Sequence, residues 1–228
     1  MAKVLESKFN EQEYPAYMKT YLFIKGFAHG RNLQQTLKAL SLARILHDGQ
    51  HRNGGAPYII HPLKVCSTLI SLDITNDEVL AASLLHDVVE DCVEKLGNPE
   101  DLMTVYGFSR EVFDIIMLLT KESKCSKEQL DEYFDNIKTS PAALLIKLAD
   151  RSHNSETLYV MKLDRLNRYI AETREYIYEL CRYGKMHYPE LSNAITVLKS
   201  KIVSLCNATD ILVQRYEEML EEQKKLLS

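Results

Sequence analysis

The sequence predicts an all-α protein, and three observations support that prediction. Only 8 glycines and 6 prolines occur among 228 residues, so the residues that interrupt helices are scarce. Long stretches place apolar residues three and four positions apart, as one face of an amphipathic helix requires. Several Ser, Thr and Asn residues stand directly before such stretches, where they cap helices. We therefore expect a single-domain fold of roughly ten helices.

The first half of the chain shows two helical stretches around a loop. In residues 32–50, NLQQTLKALSLARILHDGQ, the apolar residues return at helical spacing. Residues 51–62, HRNGGAPYIIHP, hold two glycines and two prolines, which predict a shaped loop. A further helix is expected over residues 63–72.

The stretch 75–91, TNDEVLAASLLHDVVED, predicts one buried helix. Thr75 stands three residues before Glu78, which is the spacing of a capping box. The helix should therefore begin near Asn76 and continue through the apolar residues that follow.

The later helices follow from caps and periodicity. Ser140 is a predicted N-cap with Pro141 at the first helical position, before a stretch that stays apolar until Asp150. Further helices are expected over residues 99–106, 109–119, 126–137, 163–187, 190–206 and 208–226.

No internal repeat or evident linker divides the sequence. We expect one domain over residues 1–228, with a motif core at about 40–158. The C-terminal helices, about 159–228, are expected to pack on this core or on a partner subunit.

Composition excludes several classes of function. A net charge of −4 and a pI near 6.0 argue against a nucleic-acid binder or a binder of anionic membranes. Five cysteines, an odd number without a CxxC pair, indicate reduced thiols. The N-terminus lacks the apolar run of a signal peptide, and no stretch approaches membrane-spanning length, so we expect a cytoplasmic protein.

Four ionisable side chains interrupt the apolar stretch 81–92, AASLLHDVVEDC. They are His86, Asp87, Glu90 and Asp91. A buried carboxylate is costly unless a cation compensates its charge. On a helix, His86 and Glu90 point the same way, as do Asp87 and Asp91. A metal ion at the helix flank would stabilise these carboxylates.

Two further residues fit the same metal site. His61 ends the glycine-rich loop directly before Pro62, and Asp150 is an acid late in the apolar stretch ALLIKLADR. With His86 and Asp87 they form a mixed nitrogen and oxygen ligand set that several first-row metals accept. The alternative is two histidines and two acids that only pair structurally.

The order His, His-Asp, Asp is that of HD-superfamily phosphohydrolases. The stretches HDGQHRNGGAPYIIHPLKV, AASLLHDVVED and IKLADRSHN resemble the hydrolase domain of RelA/SpoT homologues over about residues 40–158. The resemblance implies removal of the 3′-pyrophosphate from (p)ppGpp, giving GDP or GTP and pyrophosphate. It also implies one Mn²⁺ ion, with other divalent metals left open. Because the sequence leaves no room for a synthetase domain, we expect a stand-alone small alarmone hydrolase.

The resemblance implies roles for individual residues. Glu90 and Asp91 match the acidic pair that orients or activates the attacking water. Arg52 matches an arginine that packs on the guanine base, while Asn154 and Thr157 match nucleotide-contacting positions. The residues that match the family's metal ligands are His61, His86, Asp87 and Asp150.

Two cations beside Asp150 are candidates for contact with the leaving pyrophosphate. Lys147 and Arg151 lie four residues apart, and either has the charge to steady it. Arg151 fits a structural ion pair equally well. Three histidines are left out of the metal site: His47, His51 and His153.

The sequence departs from the family on the nucleotide side. Asn53 stands where a basic residue is usual, and Ser155 and Glu156 replace an apolar and a basic residue. (p)ppApp and the 2′-phosphate of NADPH therefore remain alternative substrates, and a non-catalytic alarmone-binding module is the alternative outside enzymes. The expected partner is a small nucleotide; the C-terminal apolar stripe is compatible with a homo-oligomer, which is not predicted.

Overall fold

The computed structural model describes residues 14–52, 54–122 and 124–227. Within these ranges the chain forms ten α-helices of nine or more residues and three helices of a single turn. No β-strand occurs in the described part, where one isolated antiparallel bridge joins His51 and Pro57. The all-α prediction is confirmed. None of the helices in these ranges combines the length and apolar character needed to cross a membrane.

The chain divides into two compact units, residues 1–150 and 151–228. The expectation of a single domain, with C-terminal helices packed on its core or on a partner subunit, stays a prediction. The helices of the first unit are α1 Tyr14–Gly30, α2 Gln34–Leu46, α3 Ile60–Ser71, α4 Asp77–Leu85, α5 Val88–Asp91, α6 Val93–Leu96, α7 Asp101–Thr104, α8 Arg110–Leu119 and α9 Lys127–Lys138.

Helix α4 lies at the centre of the first unit. It packs against α2, α3 and α8, and every residue from Leu80 to Leu85 is buried. The fully buried side chains of Leu40, Leu63 and Ile116 contribute to the same core. An apolar helix with neighbours on several sides explains why the sequence around the His-Asp pair has no polar face.

Serine residues cap three helices that begin in the first unit, and Ser140 is the one that was predicted. Ser109 accepts a hydrogen bond from Val112 N, and Ser126 forms a full capping box with Gln129. Ser140 Oγ accepts from Ala143 N at 3.2 Å, at the start of α10, Pro141–Ser155.

The predicted start of α4 is right, but its capping residue is not Thr75. The side chain of Asn76 accepts from Val79 N at 2.8 Å, and its extended backbone is typical of an N-cap. Asn76 is therefore the N-cap residue. The helix does not require the capping box that the spacing of Thr75 and Glu78 predicted.

The prediction of one continuous helix over 75–91 is wrong. Helix α4 ends at Leu85, and the single-turn helix α5 begins at Val88. His86 Nδ1 donates to the carbonyl of Ser83 at 2.9 Å, and in a continuous helix that carbonyl would accept from the N–H of Asp87. The His-Asp pair therefore occupies a bend between two helices.

His61 also lies differently from the prediction. Helix α3 begins at Ile60, three residues earlier than expected, so His61 is in the first helical turn and not in the loop. Pro62 is tolerated there because the first N–H groups of a helix have no partner within it.

The second unit contains the end of α10 and the helices that follow. The predicted helix over 163–187 is confirmed, since α11 Leu163–Glu172 and α12 Tyr178–His187 are joined by a π-helical turn, Thr173–Ile177. Short 3-10 turns precede α11 and follow α12, at Leu158–Val160 and Pro189–Leu191.

The last helix is longer than predicted. Two helices were expected over 190–206 and 208–226, but α13 runs unbroken from Ser192 to Leu227. No glycine or proline occurs in this range, and Asn207 is exposed, so nothing ends the helix there.

Candidate functional site

The four predicted ligand residues meet at the bend between α4 and α5. His61 Nε2 lies 3.3 Å from Asp87 Oδ2 and 3.1 Å from Asp150 Oδ1. His86 Nε2 lies 3.2 Å from Asp87 Oδ1 and 3.8 Å from Asp150 Oδ1. The two Nε2 atoms are 3.2 Å apart. Helix α3 supplies His61, the bend supplies the His-Asp pair, and α10 supplies Asp150.

These distances suit a shared cation. Ligand atoms of His61, His86 and Asp87 all lie within 4.8 Å of one another. Imidazole nitrogens bind metals at about 2.0–2.1 Å, so two ligands at roughly a right angle lie about 3 Å apart. Most of the pairs in this cluster have that separation. A set of two imidazoles and two carboxylates fits several divalent first-row ions.

The tautomer of His86 favours metal binding. A carbonyl oxygen only accepts, so the bond to Ser83 O places a hydrogen on Nδ1 of His86. In the neutral ring, Nε2 then carries the lone pair and faces the centre of the cluster.

The cluster attracts positive charge. Burial alone would lower the pKa of His86, but Asp87 and Asp150 raise it to about 9. Burial would raise the pKa of Asp87, yet the imidazoles of His86 and His61 hold it below its usual range. The pKa of Asp150 is also low, because Lys147 and both imidazoles outweigh its burial. A bound cation would meet two carboxylates that are already ionised.

The predicted acidic pair follows in α5. Glu90 Oε1 accepts a hydrogen bond from Lys121 N at 2.7 Å, and burial raises the pKa of Glu90. Asp91 Oδ2 accepts from the hydroxyl of Tyr58 at 2.6 Å. The same hydroxyl lies 2.7 Å from Asp87 Oδ2, so Asp87 and Asp91 face one point despite the break in the helix.

Of the two predicted substrate residues in the first unit, Lys147 contacts this cluster and Arg52 lies over the ring of Tyr58. The ammonium group of Lys147 is 3.4 Å from Asp150 Oδ2. The guanidinium carbon of Arg52 lies 5.8 Å from the ring centroid of Tyr58. Asn53, whose identity motivated the alternative substrates, lies outside the described residues.

The other three predicted substrate residues belong to the second unit. Arg151 is buried, forms an ion pair with Glu172 and donates to Thr173 Oγ1 at 3.1 Å. Asn154 is half-buried on α10, and its carbonyl accepts from Thr157 Oγ1 at 3.2 Å. Of the two expectations for Arg151, the ion pair is present, and contact with phosphate stays a prediction.

Tyr58 was not among the predicted site residues. Its hydroxyl lies between two predicted site carboxylates, and burial together with those acids raises its pKa far above the usual value. The available signal was local: Tyr58 stands three residues before His61, in the loop that leads to it. His47, left out of the metal site, stacks on the Tyr58 ring at 4.7 Å.

A family model of the HD domain matches residues 39–180, which is more than half of the chain. This chain belongs to the HD domain family. The matched residues of this HD domain include all four predicted metal ligands and the acidic pair.

Curated relatives of the HD domain include alarmone enzymes. The chain is 31% identical over 164 residues to the bifunctional (p)ppGpp synthase/hydrolase SpoT of Escherichia coli K12, covering 68% of this chain and 22% of that protein. It is 40% identical over 141 residues to the guanosine-3′,5′-bis(diphosphate) 3′-pyrophosphohydrolase of Vibrio cholerae, covering 59% of this chain and 19% of that protein. It thus spans about a fifth of the length of these relatives.

A solved structure shares the fold over most of this HD domain. It is described as a metazoan orthologue of SpoT that hydrolyses ppGpp, and it superposes with a TM-score of 0.60 at 25% identity. The match covers 77% of this chain and 95% of the other. These comparisons confirm the resemblance to RelA/SpoT hydrolases that the three sequence motifs indicated.

Proposed function

We propose that this HD domain is a metal-dependent hydrolase that removes the 3′-pyrophosphate from (p)ppGpp, giving GDP or GTP and pyrophosphate. The observation that carries the proposal is the convergence of two imidazoles and two carboxylates at 3.1–3.8 Å from one another. The names of the relatives, among them a 3′-pyrophosphohydrolase and a metazoan protein that hydrolyses ppGpp, support the choice of substrate. The cytoplasmic location is part of the proposal.

In this proposal the cation is Mn²⁺, held by His61, His86, Asp87 and Asp150. When bound, such an ion lowers the pKa of water and polarises a phosphoryl oxygen. The hydrogen bond from His86 to Ser83 orients one imidazole toward the ion, and Lys147 holds the outer oxygen of Asp150. Fixed ligand orientations of this kind determine how tightly an ion is bound.

Glu90 and Asp91 are proposed to act on the attacking water. Glu90 is tied to the backbone of Lys121, and its raised pKa brings it closer to the neutral range in which a general base works best. Asp91 is held by Tyr58, beside the ligand Asp87. The pair therefore provides two carboxylates within one helical turn, one to orient the water and one to take its proton.

The substrate contacts are proposed from charge and shape. The planar guanidinium of Arg52 is suited to stacking on a base, and it lies at the edge of the site above Tyr58. Lys147 has an ammonium group beside Asp150 that suits a pyrophosphate oxygen. Asn154, Thr157 and Arg151 are proposed as further nucleotide contacts, on the family resemblance alone for the first two.

The proposal is tested with purified protein, ppGpp and Mn²⁺. Pyrophosphate release is expected, with loss of turnover when EDTA is added and recovery when Mn²⁺ is returned. Asp87→Ala should abolish turnover, whereas Asp135→Ala, at an exposed residue of α9 paired with Lys138, should not. No turnover by the wild-type protein, or turnover undiminished in Asp87→Ala, contradicts the proposal.

Two alternative substrates are retained because the loop at 53–56 departs from the family. Initial rates with ppGpp, pppGpp, ppApp and NADPH, each measured with and without Mn²⁺, separate them. A higher rate on ppApp or NADPH would move the activity to that substrate without changing the metal site. Tight alarmone binding without hydrolysis of any of the four would identify a binding module.

A further inference from the structure

The loop before α3 folds back on itself and places Tyr58 next to the cluster of two histidines and two aspartates. Arg52 N donates to Ala56 O at 2.9 Å, and Tyr58 N donates to Gln50 O at 2.8 Å. The ring of Tyr58 then stacks on His47 with 4.7 Å between ring centroids. These contacts fix the ring, so the position of its hydroxyl is set by the loop.

That hydroxyl joins two carboxylates. Its oxygen is 2.7 Å from Asp87 Oδ2 and 2.6 Å from Asp91 Oδ2. A phenol has one hydrogen to donate, and both acids compete for it. If the hydroxyl were absent, two carboxylates of like charge would face each other across a partly buried gap, which favours their separation.

The same loop also holds the backbone of Asp91. Gln50 Nε2 donates to the carbonyl of Asp91 at 2.7 Å, while Gln50 Oε1 accepts from His47 Nδ1 at 2.7 Å. Asp91 is thus held by its side chain through Tyr58 and by its main chain through Gln50. The loop controls where this carboxylate lies relative to Asp87.

We propose that Tyr58 is a positioning residue whose hydroxyl fixes Asp87 and Asp91 relative to one another. The inference rests on the proposed function for the roles of those two acids, as metal ligand and as water-orienting group. Through Asp87, Tyr58 supports binding of the cation; through Asp91, it supports the turnover step.

The ring and the hydroxyl of Tyr58 have separable roles. Arg52, His47 and His61 lie against the ring, and the hydrogen bonds to the two carboxylates are made by the hydroxyl. Tyr58→Phe keeps the surface on which Arg52 packs and removes the bridge between the acids. It should therefore lower metal affinity and kcat while KM for the nucleotide stays close to the wild-type value.

The test combines two measurements on the full chain. Free Mn²⁺ is titrated by electron paramagnetic resonance to obtain Kd, and kcat and KM are measured with ppGpp at saturating Mn²⁺. Loss of a group that supports a metal ligand costs about 10- to 100-fold in affinity or activity, and Tyr58→Phe should show a loss of that size. Tyr21→Phe, at a buried tyrosine of α1 beside Arg44, is the matched control and should change neither Kd nor kcat.

Wild-type Kd and kcat in Tyr58→Phe would overturn the proposal, and so would a raised KM with unchanged kcat. Wild-type protein that binds Mn²⁺ without hydrolysing ppGpp would contradict the proposed function alone, since Tyr58→Phe must still weaken Mn²⁺ binding. If Tyr58→Phe does not fold, a crystal structure of the Mn²⁺-loaded wild type decides. The Tyr58 oxygen should then lie within about 3.2 Å of both carboxylates, and a hydroxyl turned away from both overturns the proposal.

Discussion

The two carboxylate oxygens of Asp150 contact different groups. Oδ1 faces the two imidazoles, and Oδ2 faces the ammonium group of Lys147. This arrangement holds one oxygen toward the proposed cation and satisfies the other. A neutral amide of the same shape at this position would lose both attractions.

Asp150→Asn should therefore weaken Mn²⁺ binding by at least about 100-fold, because removing a ligand costs more than disturbing the group that supports it. Isothermal titration calorimetry with Mn²⁺ measures this change. Asp135→Asn, on the exposed face of α9, is the control for loss of one carboxylate. Equal affinity in Asp150→Asn and the wild type would remove Asp150 from the ligand set.

The contacts that the structure gives for the Arg151 side chain are with residues of the second unit. Besides Glu172 and Thr173, its guanidinium carbon lies 4.3 Å from the ring centroid of Tyr169, whose hydroxyl donates to the Arg151 carbonyl. Such a network around the π-helical turn indicates a structural role. The proposed phosphate contact must compete with it.

Arg151→Met should lower the free energy of unfolding by about 2–3 kcal/mol, since it removes the ion pair between a buried guanidinium and the half-buried Glu172. Arg182→Met breaks the exposed pair with Glu179 and should cost less than about 0.5 kcal/mol. Urea unfolding measures both. Unchanged stability in Arg151→Met together with a raised KM for ppGpp would instead make phosphate contact its main role.

Helix α2 receives its cap from another helix. Leu33 stands at the N-cap position and makes no side-chain cap, while the carboxylate of Asp77 accepts from Gln35 N at 2.8 Å and from Thr36 N at 2.7 Å. Asp77 also accepts from the buried hydroxyl of Thr36 at 2.7 Å. One acid at the start of α4 thus accepts from two of the free N–H groups of α2 and joins the two helices.

Asp77→Ala should destabilise the protein by about 2 kcal/mol, the upper range for loss of a helix cap, because two backbone N–H groups lose their acceptor at once. The buried hydroxyl of Thr36 also loses its shorter bond and keeps the 3.2 Å bond to the main-chain carbonyl of residue 77. Urea unfolding checks this value against Asp114→Ala, at an exposed residue paired with Arg110 within α8. A cost no larger than that of the control would show that the contact does not stabilise α2.

The positions of most helices, and the cap of α10, were predictable because they depend on residues that are close in the sequence. Ser140 caps the helix that follows it, as its local sequence indicated, and Ser109 and Ser126 cap the helices that were expected to begin beside them. The break at His86 was not predictable, since it depends on a side chain that takes a backbone acceptor from its own helix. The cap of α2 was missed for a related reason: Asp77 lies 42 residues away from Gln35 in the sequence.

At the scale of the whole molecule, a bound cation should stabilise the folded chain. An ion that binds only the folded state adds about 2.7 kcal/mol when its concentration is 100 times Kd. Thermal unfolding after EDTA treatment should therefore show a lower Tm than unfolding with excess Mn²⁺. The difference should vanish in Asp87→Ala, and a Tm shift that persists in this variant would place the ion elsewhere.

The sequence identified the four candidate ligand residues but not the hydrogen bonds that link them to other side chains. The ordered motifs identified His61, His86, Asp87 and Asp150, because each is a polar residue in an apolar setting or at its edge. Tyr58 has an ordinary loop sequence around it, and only the folded loop brings its hydroxyl to Asp87 and Asp91. Contacts made by tertiary structure leave no periodic signal in the sequence.

Anomalous diffraction from crystals grown with Mn²⁺ tests the metal site most directly. Data collected on both sides of the manganese absorption edge should give one peak bounded by His61 Nε2, His86 Nε2, Asp87 and Asp150, each within about 2.3 Å of the ion. A peak at another position, or none at this one in a chain that hydrolyses ppGpp, would contradict the account.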